Sequence, residues 1–326
     1  MINHFIKNIE IKNFKCFKDF KAEGFGRVNL ISGQNNVGKT AFMEAVYLFV
    51  NGFSITNFLF SLAEVNAMRN KTDSIIDLIN KKTYDPLTNL QQFNKLYLSD
   101  NKDEINFKIK NKNGELLFDI LAYKEENKSL NKNLVDLGVN IKNISHFIDI
   151  EVVESRLLKK FYGIVQLLKK EKYLNEKLNE FDESIERFSF IEDTPMLFKK
   201  DIEELIPLNE YGFGSKQLIH YIVALFSMKD RTLFIDEIAS GIHYSNLDKL
   251  WEIILKISKE QNVQVFATTH SRECIESYAR VAKRLEDEDI KYIKMTKLKD
   301  GKIIAGVRDY DMLQYTMSDG HEVRGV

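Results

Sequence analysis

The feature that most constrains this chain is a glycine-containing loop between an apolar strand and an apolar helix. The loop is Gly33-Gln-Asn-Asn-Val-Gly-Lys-Thr40, which fits the pattern GxxxxGK[ST]. The run Arg27-Val-Asn-Leu-Ile predicts a strand before it, and apolar residues at helical spacing from Ala41 to Phe49 predict a helix after it. Such a loop turns backbone N–H groups and the positive end of the helix dipole toward one point, where a phosphate group fits.

The loop therefore predicts a site for ATP and Mg²⁺. The Lys39 ammonium is expected to reach the β and γ phosphates, and the Thr40 hydroxyl is expected to coordinate Mg²⁺. A structural turn that happens to contain this pattern is the alternative. The residues expected to contact the nucleotide are Gly33, Gln34, Asn35, Asn36, Val37, Gly38, Lys39 and Thr40.

A second segment, Thr232-Leu-Phe-Ile-Asp236-Glu237, is an apolar strand that ends in two carboxylates. Asp236 fits the acid on the magnesium side of a phosphate site, and Glu237 can accept a proton from the attacking water or orient it. Taken alone, such a strand end is more often a salt-bridged structural feature. Together with the glycine loop, the pair predicts catalytic chemistry.

A third segment, Val263-Gln-Val-Phe-Ala-Thr-Thr-His270-Ser271, is a strand that ends in a histidine. A single histidine is usually structural. Strands that alternate with helices predict a parallel sheet, and ligands bind at the carboxyl ends of parallel strands. His270 is therefore expected to act as a sensor of the γ-phosphate.

Composition excludes several classes of protein. Lys and Arg total 47 against 48 for Asp and Glu, giving a formal charge of −1, so a DNA contact would need a local basic patch. Cys16 and Cys274 form no metal-ligand cluster, and both are expected to be core thiols of a reducing compartment. The opening residues lack the pattern of a signal peptide and no apolar run reaches membrane-spanning length, so we expect a cytoplasmic protein without a membrane partner.

The change in amino-acid composition along the chain predicts three regions. Residues 1–52 and 206–326 form two compact ATPase lobes, and the Lys- and Asn-rich residues 53–205 form an inserted lid or arm that is mostly helical, with a hairpin around residues 105–120. Residues 151–186 predict one or two exposed amphipathic helices. This helical part is either a solvated lid or a basic edge for DNA; the lysines of that edge are Lys159, Lys160, Lys169 and Lys170.

The order of these motifs resembles the ABC-type ATPase heads of the SMC, RecF and OLD-like families. Ile9 to Phe17 looks like their N-terminal strand pair, and the loop, the strand before Glu237 and His270 look like their Walker A, Walker B and switch histidine. Tyr211-Gly-Phe-Gly-Ser-Lys-Gln217 is similar to the signature loop. The remaining matches are Gly214 and Ser215 within that loop, Ala239 to His243 as the D-loop region, and Gln91 or Gln92 as candidates for the Q-loop glutamine.

The resemblance implies a P-loop NTPase fold, α/β with a mixed sheet flanked by helices. It also implies a head-to-tail homodimer or higher even oligomer, in which the signature loop of one subunit closes on the ATP of the other. The arm is too short for an SMC protein, and the segment after His270 is shorter than a nuclease domain of about 100 residues. A membrane-transporter subunit would carry a clean LSGGQ signature.

A stand-alone OLD-like ATPase remains, similar to those of phage-defence systems such as PARIS. This branch implies a role as sensor or scaffold for a separate effector, such as a TOPRIM-like nuclease. The alternatives are a RecF-like clamp on DNA and a structural subunit that hardly hydrolyses ATP.

Overall fold

In this computed structural model, the described residues are 5–52, 57–58, 61–62, 64–65, 95–99, 104–112, 115–122, 145–148, 155–200 and 205–318. The strands are β1 Asn8–Phe14, β2 Phe17–Glu23, β3 Val28–Gly33, β4 Lys95–Ser99, β5 Glu104–Lys112, β6 Glu115–Ala122, β7 His146–Ile148, β8 Ile185–Ile191, β9 Thr194–Lys199, β10 Leu205–Pro207, β11 Thr232–Ile235, β12 Gln264–Thr268, β13 Ile290–Lys297 and β14 Ile303–Arg308. The helices are α1 Lys39–Asn51, α2 Ser155–Leu167, α3 Glu171–Phe181, α4 Phe213–Ser227, α5 Leu247–Glu260, α6 Arg272–Arg284 and α7 Tyr310–Ser318, with short 3₁₀ turns at Leu208–Glu210 and Tyr244–Asn246.

The central sheet has the strand order β14-β13-β3-β12-β11-β7. Neighbouring strands from β13 to β7 are parallel, and β14 runs antiparallel at one edge. Every residue of β3, β11 and β12 is buried, as expected for parallel strands that are covered on both faces. The carboxyl ends of these three strands therefore lie at one edge of the sheet.

Side-chain alternation along the strands divides the core between the two faces of the sheet. Leu233 and Val265 belong to the cluster that contains the buried faces of α4, α5 and α6, whereas Phe234 and Phe266 belong to the cluster on the side of α1. The Phe234 and Phe266 rings stack with centroids 5.7 Å apart. Successive side chains of a strand point to opposite faces of the sheet. The aromatic residues on one face therefore pack with the buried residues of α1.

Two antiparallel sheets accompany the central one, with orders β2-β1-β4-β5-β6 and β10-β9-β8. The hairpin predicted around residues 105–120 is confirmed by the pairing of β5 with β6, in which Phe107 lies opposite Ile120. The two amphipathic helices predicted within residues 151–186 are α2 and α3.

The inserted region differs from the expectation that it is mostly helical. Its described part contains α2 and α3 but also β4 to β9, and β7 joins the central sheet beside β11. The segments that form β8 and β9 were missed because neither one alternates regularly between buried and exposed residues. Along α2, Leu158, Phe161 and Val165 are buried, so this helix packs on the core rather than projecting from it.

No helix in the described ranges combines the length and apolar character that a bilayer crossing requires.

Candidate nucleotide-binding site

The glycine loop lies at the carboxyl end of β3, and α1 begins at Lys39. The Lys39 side chain folds back over the loop, and its Nζ donates hydrogen bonds to the carbonyl oxygens of Gly33 and Gln34, both at 3.2 Å. Gly38 has a φ of 98°, and a Cβ at this position would lie 2.6 Å from Cys16 Sγ. Only glycine satisfies both the left-handed backbone and this close approach.

The N-terminus of α1 differs from that of α6. The Ser271 hydroxyl accepts a hydrogen bond from the Cys274 N–H at 3.1 Å and caps α6. The first turn of α1, all of whose residues are described, has no side-chain cap and no acidic residue. Its N–H groups and its dipole are therefore available to an anion from outside the helix.

Asp236 joins the loop to two strand ends. The Thr40 hydroxyl donates to Asp236 Oδ2 at 2.9 Å, and the Thr268 hydroxyl donates to Asp236 Oδ1. Thr268 is the last residue of β12 and also accepts from the Glu237 N–H, at 2.8 Å. These contacts fix the ends of β11 and β12 and the start of α1 relative to one another.

Glu237 has a φ of 47°, in the left-handed region that a non-glycine residue rarely adopts. Its backbone is held there by the bond to Thr268, and the Ile238 N–H donates to the Thr268 carbonyl at 2.9 Å. The His270 Nε2 atom lies 3.0 Å from Glu237 Oε1. Strained residues that the surrounding structure holds in place cluster at functional sites.

Burial shifts the pKa of three titratable groups at this site, Glu237, His270 and Lys39. It raises the pKa of the Glu237 carboxyl, which the Asp236 charge raises further and the Lys39 charge lowers. It lowers the pKa of His270, and the Lys39 charge adds to that effect. Burial also lowers the pKa of Lys39, which the Glu237 and Asp236 charges raise. His270 is therefore a neutral imidazole at pH 7, able to donate one hydrogen bond.

A cavity of about 410 Å³ lies over these groups, within the range of small-molecule sites. Thr40 and Asp236 bring a hydroxyl and a carboxylate oxygen together beside it, which suits Mg²⁺, because Mg²⁺ prefers few protein oxygens and completes its shell with water and phosphate. The residues lining the cavity are Lys15, Cys16, Asn35, Asn36, Gly38, Lys39, Thr40, Ala41, Glu237 and His270.

The predicted signature residues lie elsewhere. Gly214 is in the first turn of α4, and a Cβ there would meet the Gly241 carbonyl oxygen at 2.6 Å, so the signature loop packs on the predicted D-loop. Ser215 is buried. Among the described residues, neither lines the cavity over Lys39 in the same chain. Gln91 and Gln92 lie outside the described residues.

Sequence reasoning missed three residues near the site. The position of Thr268 at the end of an apolar strand, level with Asp236, was the available signal for its linking role. Lys15 and Cys16 have no local pattern, because only the tertiary fold brings the turn between β1 and β2 to the loop. The expectation that both cysteines are core thiols was wrong for Cys16, which is exposed, whereas Cys274 is buried.

Two solved structures resemble the fold. An SMC head bound to the C-terminal winged-helix domain of ScpA has 16% identity and a TM-score of 0.54, covering 94% of this chain and 98% of that one. An SMC head with an extended coiled coil, bound to the C-terminal domain of ScpA from Pyrococcus furiosus, has 14% identity and a TM-score of 0.53, covering 98% and 100%. The expected α/β fold of ABC-type ATPase heads is confirmed.

A relative in Helicobacter pylori, named "ATP/GTP phosphatase", is 29% identical over 321 residues, covering 83% of this chain and 86% of the relative. The matching family is described as "AAA domain, putative AbiEii toxin, Type IV TA system", and the match spans residues 28–276. That span runs from the start of β3 into α6 and includes the glycine loop, Glu237 and His270. The chain belongs to this family of AAA domains.

Proposed function

We propose that this protein binds and hydrolyses ATP with Mg²⁺ at the site around Lys39. The observation that carries the proposal is the connected array in which Thr40 and Thr268 hold Asp236, Thr268 holds Glu237, and His270 contacts Glu237, beside the uncapped start of α1. The name of the Helicobacter pylori relative supports nucleoside triphosphate hydrolysis.

Each residue has a distinct role in this proposal. Lys39 and the N–H groups of residues 34–40 bind the phosphates, and Thr40 with Asp236 would hold Mg²⁺, which would supply positive charge to the phosphates. Glu237 orients the attacking water and accepts its proton, since its raised pKa makes it a better base than an exposed carboxylate. In this structure the neutral His270 contacts Glu237, and in the proposal its single N–H donor turns to the γ-phosphate when ATP binds.

The test of the site is ATP binding by a Lys39→Ala variant. The variant is expected to lose affinity for ATP by about tenfold or more, because it removes a charge-assisted hydrogen bond to phosphate. Lys12→Ala is the matched control, since Lys12 lies on β1 and pairs with Glu10. Equal affinity of the Lys39→Ala variant and the wild type would contradict the proposal.

We further propose that two copies close head-to-tail around ATP, as the signature motif implies. Gly214 and Ser215 do not line the cavity of their own chain, so a second copy would supply them. The face beside them is open to a partner: Phe213 is 40% exposed and Tyr244, just after the D-loop region, is 71% exposed. Two equivalent composite sites satisfy the requirement of a closed symmetric assembly.

For the cellular role, we propose that the protein is a sensor or scaffold for a separate effector in anti-phage defence. The family description names a toxin and a type IV TA system, and this wording supports a role in defence. The test is purification of tagged Glu237→Gln protein from its host with ATP and magnesium. A reproducible second protein identifies the effector, and loss of defence in a Lys39→Ala strain ties it to ATP. Unchanged defence in that strain would overturn this role.

The same purified protein also tests the alternative function, a clamp on DNA, against the effector role. That function predicts ATP turnover stimulated by duplex DNA and binding that weakens steeply with salt. Two of the four lysines of the expected basic edge are already paired with acids, Lys159 with Asp193 and Lys170 with Glu260. We therefore favour the effector role.

A further inference from the structure

The carboxyl end of α3 contacts the chain just before the signature glycine and just after the D-loop region. The Tyr211 hydroxyl donates a hydrogen bond to Oδ2 of Asp182, the C-cap residue of α3, at 2.7 Å. Tyr211 comes immediately before the residue that caps the start of α4. After the D-loop region, Asn246 Nδ2 donates to the Phe181 carbonyl oxygen at 3.4 Å. Both segments are therefore bonded to one point in the inserted region.

The Asp182 carboxylate is oriented toward Tyr211 by a second set of hydrogen bonds. Its Oδ1 atom accepts from the Ser184 N–H at 3.0 Å and from the Ser184 hydroxyl at 2.7 Å. The other carboxylate oxygen accepts from Tyr211, and the hydroxyl oxygens of Ser184 and Tyr211 lie 3.0 Å apart. The three side chains therefore fix one another's positions.

The charge states of Asp182 and Tyr211 make their hydrogen bond a strong one. Burial raises the pKa of the Asp182 carboxyl, but the hydrogen bonds from Ser184 and Tyr211 together lower it more, so the pKa lies below its ordinary value. Burial raises the pKa of the Tyr211 hydroxyl, and the Asp182 carboxylate raises it further. At pH 7 a charged carboxylate therefore accepts from a neutral hydroxyl, and such charge-assisted bonds are stronger than those between neutral groups.

The signature loop has an open stretch directly after Tyr211. Gly212 is exposed, and nothing lies within 4 Å of a Cβ there. Phe213 is 40% exposed. Gly214, by contrast, packs on the Gly241 carbonyl oxygen of the D-loop region. The signature loop and the D-loop region thus contact each other, and the Tyr211 side chain joins this pair to the inserted region.

We propose that Asp182 and Tyr211 are positioning residues whose hydrogen bond holds the signature loop where it can close on the ATP of a second copy. The inserted region thereby regulates ATP hydrolysis, because Asp182 belongs to that region whereas Gly214 and Ser215 do not. The inference rests on the proposed function, including the head-to-tail pair, and it adds a regulatory link to the same composite site. A change at the end of α3 is expected to alter closure without altering the site around Lys39.

The first test measures phosphate release per subunit at saturating Mg-ATP over a range of protein concentrations. Full-length Tyr211→Phe protein is compared with the wild type and with Tyr162→Phe protein, the matched control. The Tyr162 hydroxyl donates to the Phe188 carbonyl oxygen at 3.2 Å. The control change therefore also removes one hydroxyl group and one hydrogen bond within the inserted region.

The Tyr211→Phe variant is expected to need about tenfold more protein for half-maximal activity, the loss of one hydrogen bond to a charged group. Its affinity for ATP, measured where the wild type is a monomer, should be unchanged, because Tyr211 is not among the described residues that line the cavity over Lys39. The Tyr162→Phe variant should match the wild type in both measurements. A Tyr211→Phe curve equal to that of the wild type, or a shift that the Tyr162→Phe variant shares, would overturn the proposal.

A double-mutant cycle tests whether Asp182 acts through Tyr211. The Asp182→Asn change should also raise the protein concentration for half-maximal activity, and it should have little further effect in the Tyr211→Phe protein. The Glu183→Gln change removes the charge of the exposed neighbouring carboxylate and should have no effect. Additive shifts from the Asp182 and Tyr211 changes would mean that Asp182 acts only on the local fold, and would overturn the proposal.

The failure of this inference is distinguishable from the failure of the proposed function. Melting curves verify the fold of each variant, and the Asp182→Asn protein alone tests the link if the Tyr211→Phe protein does not fold. If the Lys39→Ala variant binds ATP normally, the proposed function fails. If wild-type turnover per subunit is independent of protein concentration, the head-to-tail pair fails and this inference with it. If wild-type turnover depends on concentration and the Tyr211→Phe curve is the same, this inference alone fails.

Discussion

At the scale of single residues, Glu237 combines a backbone that costs free energy with a carboxylate that burial disfavours in its charged form. A strained φ in the left-handed region costs about 1–2 kcal/mol for a non-glycine residue. The two hydrogen bonds to Thr268 hold this conformation. The arrangement places the carboxylate beside His270 at the wall of the cavity.

The raised pKa of Glu237 predicts the acid limb of the pH–rate profile. The residue acts as a base only when it is ionised, so the rate of ATP hydrolysis should fall as the pH is lowered through its pKa. Because burial raises that pKa, the fall should occur at a higher pH than the ordinary glutamate value of about 4.3. The measurement is kcat against pH, with circular dichroism to verify the fold; an acid limb at or below the ordinary value would contradict the role.

The sequence was enough to predict that the glycine loop, Glu237 and His270 lie together, but not the hydrogen bonds that connect the residues around them. The glycine loop, Asp236, Glu237 and His270 stand next to recognisable strand and helix signals. The bonds through Thr268 depend on which strands are neighbours, and only the order β3-β12-β11 shows that. Lys15 and Glu44 are separated by 29 positions, without a pattern to indicate their ion pair.

At the scale of elements, the apolar strands were the easiest to predict. Strand β11, Thr232–Ile235, is the apolar run that the sequence predicts immediately before Asp236 and Glu237, and charged residues bound this run on both sides. Helix α4 begins at Phe213, directly after its N-cap residue Gly212, so Gly214 and Ser215 of the predicted signature loop lie in the first turn of the helix. A glycine in a sequence suggests a loop, but Gly214 lies within the helix, where it packs closely against Gly241.

The contact between α4 and the D-loop region predicts a stability difference between two glycines. A Gly214→Ala change places a Cβ 2.6 Å from the Gly241 carbonyl oxygen, so it should lower the free energy of unfolding by about 1–3 kcal/mol. Gly163 in α2 is the control, since nothing lies within 4 Å of a Cβ there and alanine should stabilise the helix by about 0.5–1 kcal/mol. Thermal melting measures both; equal effects would refute the packing argument.

At the scale of the whole molecule, most elements within residues 1–52 and 206–326 were predictable because they have ordinary lengths and a clear apolar pattern. The region between them was less so. Strand β7 lies within residues 53–205, yet it completes the central sheet beside β11, so this region is partly built into the core. Three residues of β-structure give too short a pattern to identify from sequence, and their position depends on long-range pairing.

Closure around ATP predicts a change in native mass. The Glu237→Gln protein retains the phosphate contacts and loses water activation, so ATP with magnesium should shift it from 38.0 kDa to twice that mass. Light scattering after size exclusion measures this. The same variant with Lys39→Ala added should stay at 38.0 kDa, and a Glu237→Gln mass that ATP does not change would argue against the composite site.

The most direct test of the central claim is phosphate release from saturating Mg-ATP by purified wild-type and Glu237→Gln proteins. The wild type is expected to turn over ATP, and the variant should be slower by about a hundredfold or more, the usual contribution of a general base, with its ATP affinity unchanged. The Lys39→Ala protein sets the background for contaminating activity. Wild-type release at that background, or equal rates for the wild type and the Glu237→Gln variant, would contradict the account.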